Sequence, residues 1–489
     1  TKQSMSIEIK ETIAAIATGL TESGIGIIRM SGPESYDIIK RIFRTKSGNE
    51  PDLSESHKVH YGFINVSRET SEDHRNETSE SDNTKKERIE TLDEVLMLNM
   101  KGPRSYTGED TIEIDCHGGV LMMRRILETM LKAGARPAEP GEFTKRAFLN
   151  GRLDLSQAEA VADIISAKND RAIKASVSQL RGTVSDRIKE IRAELLEDTA
   201  YIEAALDDPE HIELDGFSEK LESDIIAALK RLKKLIASAE NGKLIKEGVN
   251  TVILGKPNAG KSSLLNALLR EDRAIVTDIA GTTRDTLSES INLNGISLNI
   301  MDTAGIRETK DVVEKIGVER ALKAAEGADL IIYVVDGSVS LDDSDRQIID
   351  FINKSGIRTL VILNKNDLER SVSEDELKAL LGEQQDMIYA SALKNEGIEE
   401  LEERIEELFS RGDISFNDEV IITSERQKQS LINALESLEE VKNSINAGLS
   451  EDFYTIDLMN AYTELGHILG ESVDEDLVDE IFGKFCMGK

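Results

Sequence analysis

The chain has 489 residues, 39% hydrophobic and 31% charged, enough for about three domains of ordinary size. Its formal net charge of −33 excludes a general polyanion binder, so any nucleic acid it handles must meet a locally basic surface. Its two cysteines, Cys116 and Cys486, exclude a disulfide framework and a four-cysteine zinc site, and they fit a reducing cytosol.

No apolar run approaches the ~18 residues needed to cross a bilayer. The first residues lack the basic-then-apolar order of a signal peptide, and Met5 reads as the native start behind a tag remnant, Thr1 to Ser4. Charge is uneven. Residues 1–150 carry −4 and the rest −29, so a polyanion would prefer the first segment.

Residues 25–35 (IGIIRMSGPES) run from a β-branched strand into a Ser-Gly-Pro break. Residues 95–100 and 111–115 read as further strands. Residues 122–134 read as an amphipathic helix ending at Gly134. Together, 1–150 predict an α+β domain. Residues 67–90 are polar, almost free of apolar side chains, and predict a disordered surface insertion. The sequon Asn76-Glu77-Thr78 inside it is expected to be chance.

From 156 to 206, Val161, Ile164, Ile165, Ile173, Val177, Leu180, Val184, Ile188, Ile191 and Leu195 recur mostly every three or four positions, as on one face of long helices. Residues 218–240, 424–447 and 456–482 are helical by the same test. A β/α alternation lies between the two helical blocks. The expected fold class is multidomain: an α+β domain, a discontinuous helical bundle and an inserted Ras-like P-loop domain. The expected boundaries are 1–150, 151–245, 246–412 and 413–489. Separate helical domains are the alternative, which composition leaves open.

Thr251 to Leu254 is a buried-strand run leading into Gly255-Lys-Pro-Asn258-Ala259-Gly260-Lys261-Ser262-Ser263 and then a helical run. This is G-x4-G-K-S in its strand–loop–helix setting. The loop's N–H groups can wrap phosphates at a helix N-terminus. Lys261 can meet the β/γ-phosphates, and Ser262 can ligate Mg2+. Asp302-Thr303-Ala304-Gly305 follows a strand, placing an acid for the metal shell and an N–H for the γ-phosphate. Asn364-Lys365-Asn366-Asp367 follows another, where Asp367 would accept from guanine N1–H and N2–H2. Ser391-Ala392 would line the base. Four elements in this order predict GTP rather than ATP.

Residues 277–285 (TDIAGTTRD) lie between the P-loop helix and the next strand, with Thr283 as the expected switch threonine. After Gly305 comes Ile306, where Ras-like proteins carry a catalytic glutamine. Water must therefore be oriented otherwise, with Glu308, Glu314 and Glu319 as candidates. Arg284 and Arg307 are the nearby arginines, and neither stands out as a finger. A bound monovalent cation could supply the missing positive charge.

With these residues laid out, nearly the whole chain resembles the MnmE (TrmE) family of tRNA-modification GTPases. The resemblance rests on GIGIIRMSG, SYTGEDTIEIDCHGG, EPGEFTKRAFLNGRLDLSQAEA, GKPNAGKSSLLNAL, TDIAGTTRD, DTAGIRET and the terminal FCMGK. It implies an N-terminal tetrahydrofolate-binding-like domain that forms the homodimer, and a cytoplasmic location. It implies an FAD-containing partner, MnmG, and (carboxymethyl)aminomethylation of the wobble uridine of certain tRNAs. The carbon donor would be a tetrahydrofolate derivative, 5-formyl or methylene.

The resemblance also implies residue roles. Asn258, with carbonyls at Thr277, Ile279 and Thr282, would ligate K+. Ser262 and Thr283 would ligate Mg2+. Asp278, Ala280 and Gly281 complete that nucleotide loop, and Glu314 would position the attacking water. Arg29, Glu113 and Lys489 match folate positions. Arg152 stands where a lysine is common, and its planar fork is not equivalent to a point charge. Two readings are open for Cys486: a reactive thiolate near Lys484, or a small buried group beside Phe485. Cys116 reads as packing, and His117 as part of a turn. No His/Cys/Asp cluster has zinc spacing, and the acidic run 471–480 reads as a solvated helix start.

A ribosome-assembly GTPase is the rival from another class. It would normally bring a basic RNA-binding module or a second G domain, and neither is visible in this sequence.

Overall fold

The computed structural model describes residues 11–68, 88–212, 216–269, 289–293, 296–301, 322–323, 325–382, 385–410, 420–486 and 488. The chain divides into two compact units, residues 1–162 with 466–489, and residues 163–465.

Among the described residues of the first unit, seven strands form one sheet. They are β1 (Ile13–Ile16), β2 (Ile25–Ser31), β3 (Phe43–Thr45), β4 (Lys58–Arg68), β5 (Arg88–Met100), β6 (Thr111–His117) and β7 (Arg136–Pro137). Their spatial order is β3-β4-β5-β6-β2-β1-β7, antiparallel except for β1 with β7. Helices α1 (Ser35–Ile42) and α2 (Val120–Lys132) cover one face, where Ile28, Met30, Ile112 and Ile114 alternate into the core. Helix α2 starts two residues earlier than its periodicity predicts, at a Gly119 cap.

The polar insertion is shorter than expected. Ser67 pairs with Ile89 and Arg68 with Arg88 in the β4–β5 ladder. Backbone pairing needs no apolar side chain, so composition alone drew the boundary too wide. Residues 69–87, including the sequon, lie outside the described residues.

The expected single helix over 456–482 is two, Glu451–Leu469 and Glu475–Gly483. Gly470 breaks it. It sits at φ +88°, and a Cβ there would fall 2.6 Å from the Phe148 ring. The second helix starts after Asp474, whose side chain makes no cap bond, and Glu471, Ser472 and Asp474 are exposed. That helix packs Phe482 against Leu155 and Ala158, so the last residues group with the N-terminal unit rather than with 413–465.

Helices α3 (Glu142–Leu149) and α4 (Leu155–Ser166) follow β7 in the chain; then α5 (Asp170–Leu180), α6 (Thr183–Asp207) and α7 (Phe217–Glu247) of the second unit precede the nucleotide domain, and helix Glu425–Asn446 follows it. Helix α7 and Glu425–Asn446 pack together, making one discontinuous bundle. A Cβ on Gly242 of α7 would lie 1.9 Å from the Ile422 carbonyl. The Ile422 N–H donates to Ser238 Oγ at 3.3 Å, and Lys233 pairs with Glu439 at 2.9 Å.

The inserted domain holds β8 (Val249–Leu254), β9 (Glu289–Leu293), β10 (Ile296–Ile300), β11 (Leu330–Asp336), β12 (Arg358–Asn364) and β13 (Asp386–Tyr389). Their order is β13-β12-β11-β8-β10-β9, parallel except for β9 with β10. Strands β11 and β12 read as near-continuous buried runs because the parallel sheet is covered on both faces.

Asn169 joins bundle and inserted domain. It is 4% exposed. Its Oδ1 caps α5 by accepting from the Ala172 N–H at 2.7 Å. Its Nδ2 donates to the Ile245 carbonyl at 3.1 Å and to Ser297 Oγ of β10 at 3.0 Å. The chain enters β8 through Gly248 at φ +84°.

Asp198 lies buried on α6, 3.5 Å from Lys220. Burial pushes its carboxyl up from 3.8 to about 6, against the pull of Lys220 and helped by Asp224. An acid with a raised folded pKa is penalised once ionised, so stability falls as pH rises from about 4 through 6. Asp198→Asn is expected to raise the melting temperature at neutral pH, by up to about 3 kcal/mol of stability. It should give no gain near pH 4. Thermal melts at the two pH values check this, and an equal effect at both would refute the burial argument.

Candidate functional site

Strand β8 ends at Leu254, and the loop turns at once. Gly255 passes beneath β11, where a Cβ would meet the Val334 carbonyl at 2.4 Å. Gly260, at φ +98°, has Asn364 Nδ2 2.0 Å from where a Cβ would stand. Asn258 adopts φ +63°, uncommon for a residue with a side chain. Helix α8 (Lys261–Leu268) starts after Gly260 without a side-chain cap, leaving its first N–H groups facing the loop.

Lys261 folds back over that loop. Its Nζ donates to the carbonyls of Gly255 and Lys256 at 2.7 and 2.8 Å. Burial holds its pKa below the usual lysine value. A desolvated ammonium satisfied only by carbonyls suits a polyanionic ligand such as a phosphate chain.

A buried network missed in the sequence pins the loop from behind. The Lys256 ammonium bonds Asp345 at 2.8 Å and Asp342 at 3.3 Å, and the Tyr333 hydroxyl donates to Asp345 at 3.1 Å. Asp342 and Asp345 form a capping box at the start of helix Asp343–Ser355. The D-x-x-D spacing was the available signal for the cap. Nothing local pointed to Lys256.

The second motif closes the far side. Asn364, at the end of β12, donates to the Ala259 carbonyl at 2.8 Å and accepts from the Ala392 N–H at 3.0 Å. One amide thus ties the P-loop to the Ser391–Ala392 turn. Ser391 Oγ donates to Asp367 at 2.8 Å, which keeps that carboxyl below its ordinary pKa. Lys365, at φ +64°, reaches Asp336 at 2.5 Å. Asp367 is therefore held as an ionised double acceptor beside the P-loop.

Thr277, Asp278, Ile279, Ala280, Gly281, Thr282, Thr283, Asp302, Thr303, Ala304, Gly305, Glu314 and Lys489 lie outside the described residues.

In the first unit, Arg29 and Glu113 are cross-strand partners on β2 and β6, with Nε to Oε1 at 2.7 Å. The Arg29 guanidinium lies 5.1 Å from the Tyr106 ring centre, and Arg152 lies 5.0 Å from the same ring. Arg29 Nη1 also reaches the Gly488 carbonyl at 3.5 Å. Gly488 sits at φ +85°, so close to β1 that a Cβ would meet the Ile16 carbonyl at 2.4 Å. Three predicted residues and the tail thus meet around Tyr106, which the sequence did not single out.

The Cys486 side chain is exposed. The buried reading of Cys486 is therefore corrected: Phe485 does the packing, on Phe482 with ring centres 5.2 Å apart. Lys484 pairs with Glu480 at 2.9 Å. Cys116 is buried, and desolvation pushes its thiol up to about 12.

The strand–loop–helix cradle, its half-buried lysine and the Asn364–Asp367 and Ser391–Ala392 elements tied to it are those of a P-loop GTPase. A family model described as the MnmE helical domain matches residues 155–486, and one described as the GTP-binding protein TrmE N-terminus matches residues 12–152. The chain is 54% identical to a tRNA modification GTPase MnmE of Lachnoclostridium phytofermentans over 98% of this chain and 99% of that one. The MnmE proteins of Alkaliphilus metalliredigens and Clostridioides difficile are 44% and 45% identical over 98% of this chain and 100% of theirs. The chain belongs to the MnmE (TrmE) family of tRNA modification GTPases.

Proposed function

We propose that this chain is a K+-activated, Mg2+-dependent GTPase of the cytoplasm. It acts as a homodimer with the FAD-containing partner MnmG in folate-dependent (carboxymethyl)aminomethylation at C5 of the wobble uridine of certain tRNAs. The domains would be 1–150 for folate and dimerisation, 151–245 with 413–489 for the helical bundle, and 246–412 for GTP. No helix of the described residues is long and apolar enough to cross a membrane.

The observation that carries the GTPase part is the Lys261 ammonium, half-buried and bonded to two phosphate-loop carbonyls, in a fold that also fixes the Asp367 carboxylate through Ser391. Ser262 would hold Mg2+ with Thr283, and Glu314 would orient water. Asn258 fits a K+ ligand. It is exposed at the loop's turn, and its amide has no partner among the described residues. A cation there would supply the charge that an arginine finger gives elsewhere. Hydrolysis is expected to run at least tenfold faster in KCl than in NaCl, with Asn258→Ala erasing the difference. Equal wild-type rates in the two salts would falsify the potassium assignment.

For folate, Arg29, Glu113, Arg152 and Lys489 are the proposed contacts, with Cys486 as a reactive thiol. The two guanidiniums on Tyr106 and the carboxylate on Arg29 offer charge and hydrogen bonds for a conjugated anionic ligand. Such a ligand would supply a one-carbon unit there. Gly488→Ala would clash with β1 and displace the tail, so 5-formyltetrahydrofolate binding is expected to weaken at least tenfold while GTP binding is kept. Calorimetric titration measures both, and unchanged folate affinity would separate the tail from the pocket.

A further inference from the structure

Helices α1 and α2 pack on the same face of the first sheet. Ile38, Ile39 and Ile42 of one share a core with Met123, Ile126 and Met130 of the other. They are neighbours, since Arg41 donates to the Ala133 carbonyl just past α2 at 2.8 Å. Their sides away from the sheet carry Lys40, Arg41, Arg124, Arg125 and Lys132, and Arg44 follows α1 on the edge strand β3. Residues 35–44 and 120–132 set these six cations against Asp37 and Glu128, with Glu34 at the rim.

None of the six has a carboxylate within ion-pair distance among the described residues. Arg41 and Arg44 bond only backbone carbonyls. That is unexpected in a chain with 93 carboxylates and 60 cations. The comparable run from Lys230 to Lys234 on α7 behaves otherwise, with Arg231 held by Glu194 and Lys233 by Glu439. Outside residues 69–87, residues 1–150 balance 18 cations against 18 acids, while the whole chain stands at −33. Arg124 to Lys132 spans about 12 Å of helix.

We infer that the outer side of α1 and α2 binds the phosphate backbone of the tRNA substrate. The inference rests on the tRNA reading above and adds the surface. Cations displayed on helices neutralise phosphates and release counterions, so they give affinity without sequence choice. The surrounding negative charge repels RNA elsewhere and confines it to this face.

The test uses the full chain and a fluorescein-labelled tRNA transcript, titrated at several KCl concentrations. Reversing two exposed cations, R124E with R125E, is expected to weaken binding at least tenfold at low salt. The slope of log affinity on log salt should shrink by about 1 to 2. R124K with R125K should restore both, and GTP hydrolysis should not change in either variant. The milder R124A with R125A gives the same readout if charge reversal impairs folding. Equal affinity and slope in wild type and variants would overturn the surface. So would unchanged tRNA binding with lost adhesion to phosphatidylserine vesicles, which would make it a lipid site. A wild-type chain that binds no tRNA at all removes the substrate reading and the surface together.

Discussion

Replacing Lys261 with methionine is expected to cut GTP affinity at least a hundredfold and to raise the melting temperature of the nucleotide-free chain. Both effects follow from one geometry. The ammonium is desolvated and bonded only to the Gly255 and Lys256 carbonyls, and its pKa is lowered by burial. A lysine with a depressed folded pKa costs stability in full below that pKa, and the cost declines only as pH rises from there to the ordinary lysine value. At neutral pH methionine removes the cost and keeps much of the volume. With GTP the sign reverses. The phosphates lose a buried charge partner, a loss of about 3–5 kcal/mol when one member of such a pair is removed. Calorimetric GTP titration and melting with and without nucleotide read the two effects. A variant that binds GTP normally, or melts lower when empty, would show that the buried cation is structural.

Replacing Asp367 with asparagine is the second large effect, and it changes which base is bound. The carboxylate presents two acceptors, held by Ser391 Oγ at 2.8 Å. Guanine answers with N1–H and N2–H2. Asparagine turns one acceptor into a donor, so a donor faces a donor. Sites built around such hydrogen bonds reject a mismatched partner by about 10^4, which sets the scale of the expected loss for GTP. Xanthosine triphosphate carries a carbonyl at C2 and should bind the variant better than GTP. Competition between the two nucleotides measures this. Retained preference for GTP would mean that the base is read elsewhere, with the Ser391–Ala392 turn as the next place to look.

The local patterns of the sequence were highly legible. Apolar, β-branched runs gave β8, β10 and β12, and the phosphate loop was read with its strand and helix because glycine, lysine and serine spacing encodes a backbone path. Arg29 and Glu113 are legible only through the family resemblance, since local pattern alone leaves them surface charges; their pairing across β2 and β6 is visible only in the fold. What escaped was long-range. Lys256 looks like a loop filler until Asp345 and Tyr333 arrive from two other elements. Tyr106 becomes central only when Arg29 and Arg152 converge on it. The break at Gly470 depends on Phe148, more than 300 positions away in sequence, and helical periodicity carries no information about such a neighbour. The insertion's edges failed for a related reason, since ladder pairing continues where hydrophobicity stops.

Asn169 has a mechanical consequence. Its single amide clasps the end of α7 and strand β10 while its carbonyl oxygen starts α5. One of the two covalent links between these bodies is Gly248, at a φ of +84° that glycine adopts without strain. Swivelling the inserted domain about that link must therefore break side-chain bonds rather than strain the backbone, at about 1 kcal/mol apiece. The two bonds donated by the Asn169 amide together set a resistance to such a swivel of about 2 kcal/mol, held in one side chain rather than in the main chain.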